Sequence, residues 1–171
     1  LGGTYHAYYS SPSRRCRATL RALGFATFME VERFGRLPKW FYRFQGGLVS
    51  RDGTHLVPFL EGYLADPEAR QRLLRHGASV LDQVKKVAHK LPPGGRALVL
   101  THLLTIELTA MMARGDENPA AIGAEIRPIE GVAVEFDAND RVTAVRELRL
   151  PDSVLAVLED DPPGELPIPA S

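Results

Sequence analysis

Arg96-Ala97-Leu98-Val99-Leu100-Thr101-His102 runs directly into Leu103-Leu104-Thr105-Ile106-Glu107-Leu108-Thr109-Ala110-Met111-Met112. Ala97 to Leu100 are apolar without a break and follow the turn residues Pro92-Pro93-Gly94-Gly95, the pattern of a strand buried on both faces of a parallel sheet. Beyond His102 the apolar residues fall at Leu104, Leu108, Met111 and Met112, which is helical spacing. His102 is therefore expected where a central strand gives way to a helix. Ligands of open α/β sheets bind outside the carboxyl ends of the strands, and a helix N-terminus there presents backbone N–H groups to an anion. A histidine at that junction is a candidate for chemistry on a phosphate or similar group. The competing reading is a side chain that only closes the strand end.

A second strand-to-helix junction lies upstream. Tyr5-His6-Ala7-Tyr8-Tyr9 is short and aromatic, as strands are, and stops at Ser10-Ser11. From there the chain reads as a helix with Ser11 as N-cap, Pro12 at the first helical position and Gly24 past the last turn. Its first turns carry Arg14, Arg15 and Arg17. A guanidinium beside free N–H groups suits a doubly charged oxyanion, because it offers a planar fork of donors and keeps its charge. For each arginine taken alone, a solvated surface side chain is the ordinary alternative.

The 171 residues suit one compact α/β domain, residues 1–151, with a C-terminal extension, 152–171, that the Pro-rich and acidic composition predicts to be disordered after 160. Lys+Arg 21 balances Asp+Glu 21, so no global field argues for nucleic acid or an anionic membrane as partner. No apolar run approaches a membrane span. The single cysteine, Cys16, excludes an internal disulfide and fits a reducing cytoplasm. No His, Cys or carboxylate pair has metal-ligand spacing, so no metal site is expected.

Between the two junctions, residues 25–32 alternate loosely and read either as an edge strand or as chain running along the carboxyl end of the sheet. Residues 39–44 concentrate aromatic side chains, and 54–64 suggest a short helix in an insertion. Residues 67–91 form a long amphipathic helix with a stripe of Ala69, Leu73, Val80, Val84, Val87 and Leu91, leading into the strand at 97 as a helix-to-parallel-strand crossover. Residues 132–136 and 141–148 flank Asp137-Ala138-Asn139-Asp140, a hairpin signal.

Two of these pieces together resemble one family. Residues 7–19, with Ser10-Ser11-Pro12 and Arg15, look like the strand–Ser-Ser-Pro-x-x-Arg segment of the histidine phosphatase superfamily, the phosphoglycerate-mutase-like proteins. Ala97 to His102 look like its second-histidine strand, in matching order and separation, and the 132–148 hairpin is similar to its closing β segment. The resemblance implies a three-layer α/β fold, a mostly parallel central sheet flanked by helices, here lacking its first strand. It also implies a phosphomonoester hydrolase, less readily a phosphomutase, acting on a small phosphorylated substrate through a phosphohistidine, with no need of a metal or organic cofactor. Arg15 and His102 would hold the phosphoryl oxygens, with the backbone N–H of Leu103 following the histidine. The family's acid is a glutamate ahead of an aromatic residue and glycine. Phe34-Gly35 is present, but Val31 stands at the glutamate position, between Glu30 and Glu32. A one-residue shortening favours Glu32, and Glu30 is the rival.

The family's nucleophile lies in an Arg-His-Gly motif after the first strand. The chain has Arg75-His76-Gly77, but in mid-helix, where consecutive side chains diverge by about 100°, and after the arginine segment rather than before it. It reads as coincidence, and the nucleophile is expected upstream of Leu1. The alternative function is a noncatalytic protein of the same fold that binds phosphorylated ligands or a protein partner through the same pocket.

Overall fold

The computed structural model describes residues 4–35, 56–118 and 130–149. It is a mixed α/β structure built around a small parallel sheet. Strand β1 (Ala7–Ser10) lies in the middle, with β2 (Met29–Glu30) on one side and β3 (Ala97–Leu100) on the other, all parallel. The register pairs Tyr9 with Met29 and Val99, and Ser10 with Glu30 and Leu100. Three strand ends are thereby brought level, and the residues that follow them share one rim.

Residues 97–100 were expected as a central strand buried on both faces; among the described residues β3 is instead an edge strand and all four of its residues are half-buried. The centre belongs to β1. Apolarity reports burial of a face, and Ala97 and Val99 do pack with Ala7 and Tyr9 against a helix; it does not report whether the next strand is present.

That helix is α3 (Pro67–Ala88), capped by Asp66, whose carboxylate accepts the Ala69 N–H at 2.8 Å. Its Val80 and Val87 join Tyr9 and Phe34 in one core cluster. It ends at Ala88 rather than reaching Leu91, ahead of Pro92-Pro93. Helix α1 (Arg14–Ala22) meets β1 and β3, and Phe25, just beyond it, stacks on Tyr8. Neighbouring strand residues face opposite ways, so Tyr8 and Tyr9 direct these two helical layers to opposite faces of the sheet. The N-cap of α1 is Ser13, not Ser11: Ser13 Oγ accepts the Cys16 N–H at 3.3 Å, while Ser11 still belongs to the strand ladder, its N–H donating to Leu100 O at 2.8 Å.

Helix α2 (Leu56–Ala65) and α4 (Thr105–Arg114) form a second core with α3, in which Leu60, Tyr63, Leu73, Leu104, Leu108 and Met111 are buried. Against it pack Val132 and Val145 of an antiparallel hairpin, β4 (Gly131–Phe136) and β5 (Val142–Leu148). The hairpin turn is the one expected: Asp137 Oδ1 accepts from the N–H groups of Asn139 and Arg141 at 2.8 and 2.9 Å. At its base the fully buried Glu130 side chain takes Arg149 at 2.9 Å, and Arg149 also reaches Glu147 at 2.8 Å. Burial alone would lower the Arg149 pKa, but these hydrogen bonds outweigh it and the net direction is upward.

The aromatic stretch 39–44 and the extension 152–171 lie outside the described residues. Among the described residues no helix is long and apolar enough to cross a membrane.

Candidate anion site at the strand ends

His102 stands where the sequence pattern puts it, past the end of β3 and ahead of α4. Its ring is tied across the rim to the end of β1: Ser11 Oγ and His102 Nε2 are 2.9 Å apart, although 91 residues separate them in the chain. The register explains the meeting, since Ser10 lies opposite Leu100 and each chain then runs one or two residues further past the sheet. Ser11 is fully buried and His102 half-buried.

The residues on either side of His102 are pinned. Thr101 Oγ1 donates to Phe34 O at 2.7 Å, and the Cys16 thiol lies 3.4 Å from Thr101 O as donor. On the other side, Leu104 has φ +62° and ψ −42°, and the Thr105 N–H donates to Leu103 O at 2.6 Å, a tight γ-turn of the rare, strained hand. Leu104 tolerates that backbone because its side chain is 4 % exposed in the second core. The four residues 101–104 carry the chain from strand to helix, and the turn leaves Leu103 exposed.

The same serine connects His102 to α1, for Ser11 Oγ also accepts the Ser13 N–H at 3.2 Å. Helix geometry leaves the Arg14 and Arg15 N–H groups without an intrahelical acceptor. Positive charge from the helix end adds to that of the side chains, and the first turn carries no acidic residue. Arg15 lies in this first turn, its side chain exposed and without an ion pair among the described residues. Arg17 is different: half-buried, it pairs with Glu30 at 3.2 Å. The arrangement sets an imidazole and the N–H groups of a helix N-terminus at one rim, a donor set that suits an oxyanion.

Glu30 and Glu32 separate here. Glu30 closes β2 beside Ser10, its carboxylate engaged by Arg17. Glu32 opens a single 3-10 turn, Glu32–Phe34, and is exposed. That turn brings Arg33 toward His76 of α3, whose pKa is lowered by burial first and by the Arg33 charge second. Arg75-His76-Gly77 thus lies in mid-helix as expected, with Gly77 buried against α4. Among the described residues no three metal-ligating side chains cluster.

Reading the sequence for chemistry overlooked Ser11, which it took as a helix cap. The detectable signal was its place one residue past a strand end, the same kind of place that drew attention to His102. Compared with known proteins, the chain matches no family model and no curated sequence.

Proposed function

We propose that this rim binds the phosphoryl group of a small phosphomonoester and that the protein is a phosphomonoester hydrolase working through a phosphohistidine. The observation that carries the reading is the Ser11–His102 hydrogen bond, which ties an imidazole at one strand end to the N-terminal turn of α1, where Arg15 lies. Further support comes from the resemblance of residues 7–19 and 97–102 to the two phosphate-binding segments of the histidine phosphatase superfamily.

In this mechanism Arg15 binds two oxygens of the phosphoryl group through its planar fork, and the imidazole of His102 donates to the oxygen on which charge grows during transfer. The phosphoryl group passes to a histidine supplied by a segment outside these 171 residues, then to water. Transfer through an imidazole splits one hard displacement into two easier ones. Glu32 protonates the departing alkoxide; Glu30, held by Arg17, is less suited to giving up a proton.

The test is hydrolysis of an aryl phosphate by the gene product carrying this chain, measured alongside binding of inorganic phosphate. Turnover lost in both His102→Ala and Arg15→Ala is the expected result, and unchanged turnover in both rejects the reading. Phosphate binding that needs His102 and Arg15, with no turnover in any form, identifies instead a noncatalytic binding protein with the same pocket.

A further inference from the structure

We infer that the Thr101 hydroxyl is a positioning group, fixing the turn that carries Glu32 to the strand end that carries His102. For its catalytic consequence the inference rests on the phosphomonoesterase reading above; for the link itself it does not.

The strand order creates the need for such a link. β1 lies between β2 and β3, so the turn after β2 and the loop after β3 share no ladder hydrogen bonds. Two strand spacings of about 4.8 Å each separate them. Thr101 Oγ1 nevertheless donates to Phe34 O at 2.7 Å, from 67 positions away in the sequence. A carbonyl only accepts, so the direction is fixed and the one hydroxyl proton is committed. Phe34 O is a carbonyl that the turn leaves over. Its own bonds run from the Phe34 N–H to Val31 O at 3.0 Å and from the Gly35 N–H to Glu32 O at 2.8 Å, and neither uses it.

Both partners are held in turn. The Thr101 carbonyl faces the Cys16 thiol at 3.4 Å, and branching at Cβ restricts χ1, so the backbone aims the hydroxyl. The turn begins where the Val31 N–H donates to Ser10 O at 2.9 Å. It ends at Phe34, whose ring has no exposed surface and meets Tyr9 edge-on beside Val80 and Val87. Glu32 and Arg33 are carried between these two fixed points, and Thr101 joins the second of them to the residue before His102. Glu32 is exposed, so its placement depends on its main chain. An acid must stand within about 3 Å of the oxygen it protonates, and an error of about 1 Å in such a placement costs up to about 100-fold.

A purely structural bond is the rival. Losing it would lower the folded fraction and scale the rates on every substrate together. A displaced acid slows only the substrates that need one, so the two roles differ in their dependence on the leaving group.

The test compares Thr101→Val, which removes the hydroxyl and keeps the shape, with Thr101→Ser, which keeps the hydroxyl. Both are assayed in the gene product named above, under conditions where urea titration shows them folded. Thr101→Val is expected to lower kcat on an alkyl phosphate about tenfold, the rate equivalent of one hydrogen bond. Its kcat on an aryl phosphate with a good leaving group stays within about twofold, KM is unchanged for both, and Thr101→Ser restores the alkyl rate. An unchanged alkyl-to-aryl ratio in Thr101→Val overturns the proposal, and so does a Thr101→Ser no better than Thr101→Val. Amide hydrogen exchange reads the link without turnover: the Gly35 N–H is expected to exchange about tenfold faster in Thr101→Val and at the wild-type rate in Thr101→Ser. Unchanged exchange in Thr101→Val overturns the link. If exchange quickens as expected but the wild type hydrolyses no phosphate ester, the link stands and the phosphatase reading falls.

Discussion

Gly77 of α3 lies against the main-chain carbonyl of Leu108 in α4: a β-carbon at Gly77 would stand 2.8 Å from that oxygen and 3.0 Å from Met112 Cγ. The two helices approach this closely only because position 77 has no side chain. Gly77→Ala would gain about 1 kcal/mol of helix propensity and lose more to the clash, since the nearest obstacle is backbone. The expected net loss is about 1–2 kcal/mol, read as a lower urea midpoint. An unchanged or raised midpoint would mean that the helices separate without cost.

His76, the neighbour of that glycine, makes stability depend on pH. Burial, then the charge of Arg33, depresses its pKa below the usual 6.5, and its Nε2 is buried without a hydrogen-bond partner among the described residues. The unfolded chain takes up a proton near pH 6.5 that the folded chain refuses. Stability is thus full above that pH and falls as the pH drops from there toward the lower folded value. Urea titrations at several pH values are expected to show a shallower decline in His76→Gln than in the wild type, and parallel curves would assign the acid sensitivity to other groups.

The two glutamates are separable by leaving group. An acid that protonates the alkoxide matters most when the alcohol is a poor leaving group. Glu32→Gln is expected to slow alkyl phosphate hydrolysis about 100-fold or more while sparing aryl phosphates with good leaving groups. Glu30→Gln, which removes an exposed pair with Arg17, should change either rate little and stability by less than about 1 kcal/mol. The reverse pattern would make Glu30 the acid.

Asp140, at the hairpin turn, has φ +60°, a left-handed conformation that suits glycine best. Its carboxylate lies 3.7 Å from exposed His89, a contact of small value in water. Asp140→Gly is expected to stabilise the protein by about 0.5 kcal/mol, seen as a rise in Tm. A fall would show that the His89 contact outweighs the backbone term.

Local structure was legible wherever the chain's own signals agreed. The apolar run 97–100, the stripe of α3 and the Asp137 turn each became the element expected of them. The centre of the sheet was not legible, because Ala97 to Leu100 advertise a face to be buried and carry no record of their neighbours. The helix cap was misread for a related reason: Ser11 and Ser13 are chemically alike, and only the ladder bond to Leu100 tells them apart. His102 was visible as a residue type at a strand end, and Arg15 as one in the first turn of a helix. The Ser11 contact was not, since it depends on the register of two strands about ninety residues apart.

Leu104 carries two duties in one residue, a contorted main chain two positions from the imidazole and a side chain wedged among Leu60, Leu73 and Leu108. The hydrophobic interior is thereby the clamp that keeps the loop under tension. Any loosening of that interior, by a ligand against α2 or a truncation in the hairpin, would let the peptide relax and swing the ring, so a distant packing defect would register first as a misplaced histidine.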